Sequence, residues 1–207
     1  YSRVKNDPFI HVDQILENVQ SENDTVAYYE KPFWKNLRRL YAGQSWEKPR
    51  TKYDVSFSHH ESHAAAGYYT APFDDCNILV IDAIGEWDTI SIWDNMKKIK
   101  SWKYPYSLGL LYSAITQRIG FKPNEHEYIT MGMAAYGKPI HNLEPLLSQN
   151  NHMGVGNIFP RRKRIDLAAS VQALYEKKFL ELVDMCPKKN LVLMGGCALN
   201  CVANSKI

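Results

Sequence analysis

Asn77-Ile78-Leu79-Val80-Ile81-Asp82-Ala83-Ile84-Gly85-Glu86-Trp87-Asp88-Thr89-Ile90-Ser91-Ile92-Trp93 decides how the rest of the chain is read. From Ile78 to Ile81 no polar residue interrupts the run, so both faces must be covered, which predicts a central strand of a sheet. Thr89 to Trp93 alternates apolar and polar residues, as a strand with one buried face does. Asp94-Asn95 then supplies a turn, and Met96 to Trp102 can return as an antiparallel neighbour, completing a three-stranded meander. The turn between the first two strands carries an acid, a glycine and a hydroxyl. Glycine there allows backbone N–H groups to approach phosphate oxygens, although an ordinary hairpin has the same composition.

Upstream, Tyr53 to Phe57 reads as a short strand that feeds Ser58-His59-His60-Glu61-Ser62-His63-Ala64-Ala65-Ala66-Gly67. The alanines favour helix, and residues four apart share one helical face, so His59 and His63 can address one ion. Asp82, at the end of the central strand, can supply a third ligand. Two imidazoles and a carboxylate suit a borderline metal such as iron, manganese or zinc. An isolated pair of histidines can equally line a polar crevice. His60 lies about 100° around an ideal helix from His59 and stays outside the ligand set.

Further out, Asp7-Pro8 predicts a helix start whose apolar face runs through Phe9, Val12, Ile15, Leu16 and Val19. Thr25 to Tyr29 has strand character, and Trp34 to Tyr41 is an amphipathic helix. Downstream, Ser107 to Ile119 and Glu127 to Tyr136 read as helices stopped by Gly120 and Gly137. From Asp166 a long helical beat runs to Pro187. Leu191 to Met194 is then a buried strand entering Gly195-Gly196-Cys197-Ala198-Leu199-Asn200, where a helix begins. Exposed N–H groups at such a start favour a nucleotide, but glycines after a strand are also common turn residues.

With 207 residues, 45% hydrophobic and 23% charged, the chain can bury a large core, and no apolar run approaches the length of a membrane span. A net charge of +3 is too small by itself to imply a nucleic-acid partner, and Arg161-Arg162-Lys163-Arg164 reads as a solvated basic loop. Cys76, Cys186, Cys197 and Cys201 match no zinc-ribbon or redox spacing and are read as reduced thiols. No apolar signal core opens the sequence, so a cytoplasmic protein is expected.

Four stretches, in order and spacing, resemble the O-carbamoyltransferases that modify nodulation factors and antibiotics such as tobramycin and cephamycin. They are His59 to Ala65 through Pro72-Phe73; Asp82 to Thr89; Ser107-Leu108-Gly109-Leu110-Leu111-Tyr112 through Tyr136-Gly137-Lys138-Pro139; and Gly195 to Asn204. Within the third, Gly120-Phe121-Lys122-Pro123-Asn124 and Tyr128-Ile129-Thr130-Met131-Gly132 are the most specific. Two positions depart from the family pattern, Ala83 and His126, each standing where glycine is common.

The resemblance implies an α/β fold of the actin-like, sugar-kinase-like (ribonuclease H-like) type, with two lobes and incomplete at both ends. Residues 1–75 would be the remainder of the first lobe, and 76–207 the first part of the second, with its phosphate hairpin and adenosine loop. It implies metal ligation by His59, His63 and Asp82, with iron(II) as the usual ion. It also implies nucleotide contacts from Gly85, Glu86 and Thr89 in the hairpin and from Gly195, Gly196 and Asn200 in the loop, with Lys138 as a further polar contact.

The implied reaction passes a carbamoyl group from carbamoyl adenylate, made from carbamoyl phosphate and ATP, to a hydroxyl of a small-molecule or glycan acceptor. A general base upstream and a further aspartate ligand and an adenylating domain downstream are expected in the full-length chain. Competing expectations are a non-catalytic nucleotide-binding scaffold, a tRNA-modifying threonylcarbamoyl-type transferase, and a simple zinc hydrolase built on the histidine pair.

Overall fold

The computed structural model describes residues 12–19, 21, 24–158 and 163–207. The expected helix start at Asp7-Pro8, and Arg161 and Arg162 of the basic run, lie outside them. In chain order the elements are α1 (Val12–Val19), β1 (Ala27–Tyr28), α2 (Pro32–Tyr41), β2 (Val55–Ser56), α3 (His59–Thr70), β3 (Asn77–Ile81), β4 (Asp88–Asp94) and β5 (Lys97–Lys103). There follow α4 (Leu108–Arg118), α5 (Glu127–Ala134), α6 (Arg164–Val183), β6 (Leu191–Met194) and α7 (Cys201–Asn204), with a 3-10 turn over Gly196–Leu199. Among the described residues no helix is long and apolar enough to cross a membrane.

The principal sheet has the order β5-β4-β3-β6. β3 is antiparallel to β4 and parallel to β6, so it is central, as its unbroken apolar run predicts. A second, two-stranded sheet pairs β1 with β2 in parallel. The meander forms where the sequence places it, with Asn95 at φ +50° in the turn. The chain is thus mixed α/β.

Side chains alternate across β3 and divide the packing. Leu79 and Ile81, with Ile90 and Ile92 of β4, face a large core that includes Leu111 and Ile115 of α4 and Leu167, Val171 and Phe179 of α6. Ile78 and Val80, with Trp93, face a smaller core completed by Cys76 and by Ala64 of α3. Full burial of each such aliphatic side chain stabilises the fold by about 2 kcal/mol. Strands β3 and β4 are therefore covered on both faces, and α3 lies directly upon the sheet. Gly67 makes that approach possible, since a Cβ there would meet Met194 Cγ at 2.7 Å and Val192 Cγ1 at 2.9 Å.

Cover on both faces changes the reading of β4. Its polar positions do not face water: Thr89 and Ser91 are each 0% exposed. The Thr89 hydroxyl donates to the carbonyl of Tyr106 at 2.8 Å and lies 3.2 Å from that of Trp102, while Ser91 Oγ accepts from Trp93 Nε1 at 2.8 Å and meets His60 Nδ1 at 2.7 Å. Alternation marks two faces here, one of them lined by hydroxyls that have found partners.

β6 is followed by Gly195, whose φ of +89° is open to glycine and strained for other residues. A Cβ there would also lie 2.3 Å from the carbonyl oxygen of Ile81. Gly195→Ala is expected to destabilise the protein by about 3 kcal/mol, combining backbone strain with a forced shift of β3 against β6. Equilibrium denaturation measures this, and a change below 1 kcal/mol would contradict the close packing of the two strand ends.

Candidate metal centre

Two carboxylates set the start of α3. Ser58, in extended conformation, precedes the helix, and Glu61 accepts from its backbone N–H at 3.4 Å and its hydroxyl at 3.3 Å. Glu86 reaches in from the turn between β3 and β4. Its carboxylate oxygens lie 3.0 and 3.2 Å from the His59 backbone N–H, and Oε1 accepts from the Lys31 N–H at 2.7 Å, just before α2. One carboxylate thus caps the starts of two helices, each offering unsatisfied N–H groups and a positive dipole end. Arg38 of α2, itself buried, donates to the carbonyl of Glu86 at 3.1 Å and holds the same turn from behind.

These anchors place His59 and His63 over the end of β3, where Asp82 leaves the strand. His59 Nε2 lies 2.8 Å from Asp82 Oδ2, His63 Nε2 lies 3.3 Å from the same oxygen, and the two Nε2 atoms are 3.1 Å apart. Asp82 Oδ1 accepts the Ala83 N–H at 2.7 Å, fixing the carboxylate plane. The side chains are 18%, 30% and 18% exposed for His59, His63 and Asp82, leaving an approach from one side.

The donor set fits a divalent cation. Ligand atoms about 2.1 Å from one ion are separated by about 3.0 to 3.4 Å on a tetrahedral or octahedral sphere, close to the separations found. Both rings present an Nε2 lone pair toward one ion when each carries its proton on Nδ1. Ligation through His59 Nε2 places the ring proton on Nδ1, which is buried and has no hydrogen-bond partner among the described residues. Burial opposes ionisation of Asp82, but hydrogen bonds with His59 and His63 hold its carboxyl far below the usual carboxylate range. At His59 burial disfavours the charged ring, but the hydrogen bond and charge of Asp82 outweigh it and raise the pKa above the usual imidazole value. His60 turns to the sheet, and burial pushes its pKa down to about 4, so it stays neutral against Ser91.

Asp82 also lines a cavity of about 390 Å³ that runs beneath α4 and α5 to the loop after β6. Of the residues assigned to nucleotide by resemblance, Gly196 and Asn200 line it, and Gly195 adjoins it. Gly85, Glu86 and Thr89 are not among its lining residues: Gly85 packs on His59 and His60, the Glu86 carboxylate is taken by backbone N–H groups, and the Thr89 hydroxyl is turned inward. The backbone N–H of Lys138 donates to Asp166 Oδ1 at 2.9 Å, and Lys138 too lies off the cavity.

Other walls were not anticipated from the sequence. Tyr112, Ser113, Glu127 and Met131 line the cavity, and Glu127 Oε1 accepts from Ser113 Oγ and from the Asn124 N–H, each at 2.5 Å. A signal was present in the stretches Gly120 to Asn124 and Tyr128 to Gly132, the most specific of the resemblance, which contribute Asn124, Tyr128 and Met131 to the wall. Gly109 keeps α4 close to the turn, as a Cβ there would lie 2.6 Å from Ala83 Cα and 2.7 Å from Cys197 Sγ.

The family described as Carbamoyltransferase N-terminus matches residues 11–153 and 147–207. The uncharacterized protein sll1178 of Synechocystis sp. is 37% identical over 190 residues, covering 72% of this chain and 31% of its own length. The uncharacterized protein MJ1058 of Methanocaldococcus jannaschii is 35% identical over 120 residues, 46% of this chain and 19% of its own. The nodulation protein NolNO of Sinorhizobium fredii is 28% identical over a 239-residue alignment, covering 90% of this chain and 35% of NolNO. The chain spans about a third or less of the length of these relatives.

Proposed function

The chain belongs to the family of carbamoyltransferase N-terminal domains, and from that premise we propose that it carries the metal site and part of the adenylate pocket of an O-carbamoyltransferase. The donor would be carbamoyl adenylate, made from carbamoyl phosphate and ATP, and the acceptor a hydroxyl of a small molecule or glycan. The observation that carries this reading is that Asp82 belongs both to the three-donor cluster and to the cavity wall. The order β5-β4-β3-β6 supports the actin-like two-lobed architecture, and four free thiols suit a reducing, cytoplasmic setting.

In this reading the acceptor oxygen attacks the carbamoyl carbon, the bond from that carbon to the phosphate oxygen breaks, AMP leaves, and the hydroxyl proton passes to a general base. His59, His63 and Asp82 would hold the divalent ion, iron(II) first and manganese or zinc as alternatives. When bound, the ion supplies Lewis-acid stabilisation of charge on the phosphoryl and carbamoyl oxygens, worth several kcal/mol. The chain's own residues fix geometry. Glu86 and Arg38 hold the turn that carries Asp82, Gly109 lets that turn approach the cavity, and Gly196 and Asn200 present backbone and amide donors to the nucleotide.

The reading is tested by incubating the full-length protein with carbamoyl phosphate, ATP and a panel of sugar and aminoglycoside acceptors, with products read by mass spectrometry. A carbamate ester that disappears on chelation and returns with iron(II) is expected. AMP release without a carbamoylated product on any acceptor would contradict acyl transfer to a hydroxyl.

A further inference from the structure

Gln172 of α6 touches neither the three donors nor the cavity, yet every hydrogen-bonding valence of its buried amide is used. Nε2 donates to Asn200 Oδ1 at 3.1 Å and to Glu176 Oε1 at 2.9 Å. Oε1 accepts from the Tyr112 hydroxyl at 2.8 Å and from Asn200 Nδ2 at 3.0 Å. Gln172 and Asn200 therefore form a reciprocal amide pair, 28 positions apart in sequence.

The direction of the pair is fixed from both ends. The backbone N–H of Ala203 donates to Asn200 Oδ1 at 3.1 Å, so that atom must be the oxygen. The Glu176 carboxylate, also paired with Lys206, accepts only, so the Gln172 atom facing it must be the nitrogen. Turning either amide over would set donor against donor or oxygen against oxygen. One N–H of Asn200 Nδ2 is spent on Gln172, and the other remains on a residue that lines the cavity.

We infer that Gln172 is a positioning residue: through the amide pair it holds Asn200 as a hydrogen-bond donor toward the cavity. This selects a ligand that presents an acceptor there, such as the ribose or ring nitrogens of an adenine nucleotide. The inference rests on the nucleotide reading of the loop after β6 and extends it to a residue behind the pocket.

AMP is the probe, and its affinity for the full-length protein is read by calorimetry beside metal content and melting temperature. Asn200→Ala and Gln172→Met are each expected to weaken AMP about tenfold while metal content stays at the wild-type value, the loss of one well-oriented hydrogen bond. Gln172→Glu should weaken it at least as much, because a carboxylate there faces Asn200 Oδ1 and Glu176. Gln172→Leu repeats the removal with another shape, so the comparison survives if the Met variant fails to fold.

Wild-type affinity in a folded Gln172→Met or Gln172→Leu variant, with Asn200→Ala weakened, would overturn the positioning role. So would a loss of AMP affinity that comes with a matching loss of metal and of melting temperature. Unchanged affinity in Asn200→Ala would instead sink the nucleotide reading of the loop itself.

Discussion

Asp82→Asn is expected to slow the proposed carbamoyl transfer by about three orders of magnitude, roughly 4 kcal/mol of barrier, with little loss of stability. An asparagine carbonyl can still accept the Ala83 N–H that Asp82 Oδ1 accepts at 2.7 Å, so the turn keeps its shape. What goes is the negative charge between His59 Nε2 and His63 Nε2, 2.8 and 3.3 Å away. Without it the two imidazoles alone bind a divalent ion weakly, and no carboxylate offsets its charge. Steady-state rates under saturating carbamoyl phosphate and ATP, with metal content measured on the same samples, read both effects. A variant within threefold of wild type in rate would remove Asp82 from the chemistry.

Glu86→Ala is expected to cost about 3 kcal/mol of stability, from two backbone N–H groups that lose their acceptor at part-buried helix starts. For a chain of this size that corresponds to a fall in melting temperature of about 6 to 12 °C. Glu86 is 8% exposed, so water cannot readily replace its oxygens at Lys31 and His59. Metal affinity should fall as well, because the first turn of α3 positions His59. Glu86→Gln keeps one acceptor and should lie between the two. A melting temperature for Glu86→Ala within 2 °C of wild type, or a variant that melts early yet binds metal at full affinity, would show that the cap does not position the histidine.

Local signals carried much of the fold. The uninterrupted run Ile78 to Ile81 could only be a strand covered on both sides, and the four-residue spacing of His59 and His63 brought two rings to one face of α3. Joining these to Asp82 required only that α3 pack on the strand that Asp82 ends, which the alanines and Gly67 permit.

Partnerships between distant segments were not legible. Glu86 reads in sequence as an acid beside a glycine turn. Its partners, the N–H groups of Lys31 and His59, lie 55 and 27 positions away, and no local pattern marks a carboxylate that caps helices from another element. Arg38 reads as a charge on an exposed helical face, yet it is 4% exposed because the carbonyls of Gly85 and Glu86 need a donor behind the turn. Ser91 and Thr89 read as the wet face of a half-buried strand because period-two alternation reports two faces without saying what covers each. The wall formed by Tyr112, Ser113 and Glu127 depends on how α4 and α5 cross, which spacing alone does not determine.

The central claim is that His59, His63 and Asp82 bind one divalent ion together. X-ray absorption at the metal edge, with the metal-to-protein ratio measured in wild type and in the His59→Ala/His63→Ala double variant, tests it most directly. Expected are one ion per chain, a first shell of nitrogen and oxygen with the multiple-scattering signature of two imidazoles, and loss of the ion in the double variant. A full complement of metal in that variant, or a bound ion with no imidazole in its shell, would contradict it.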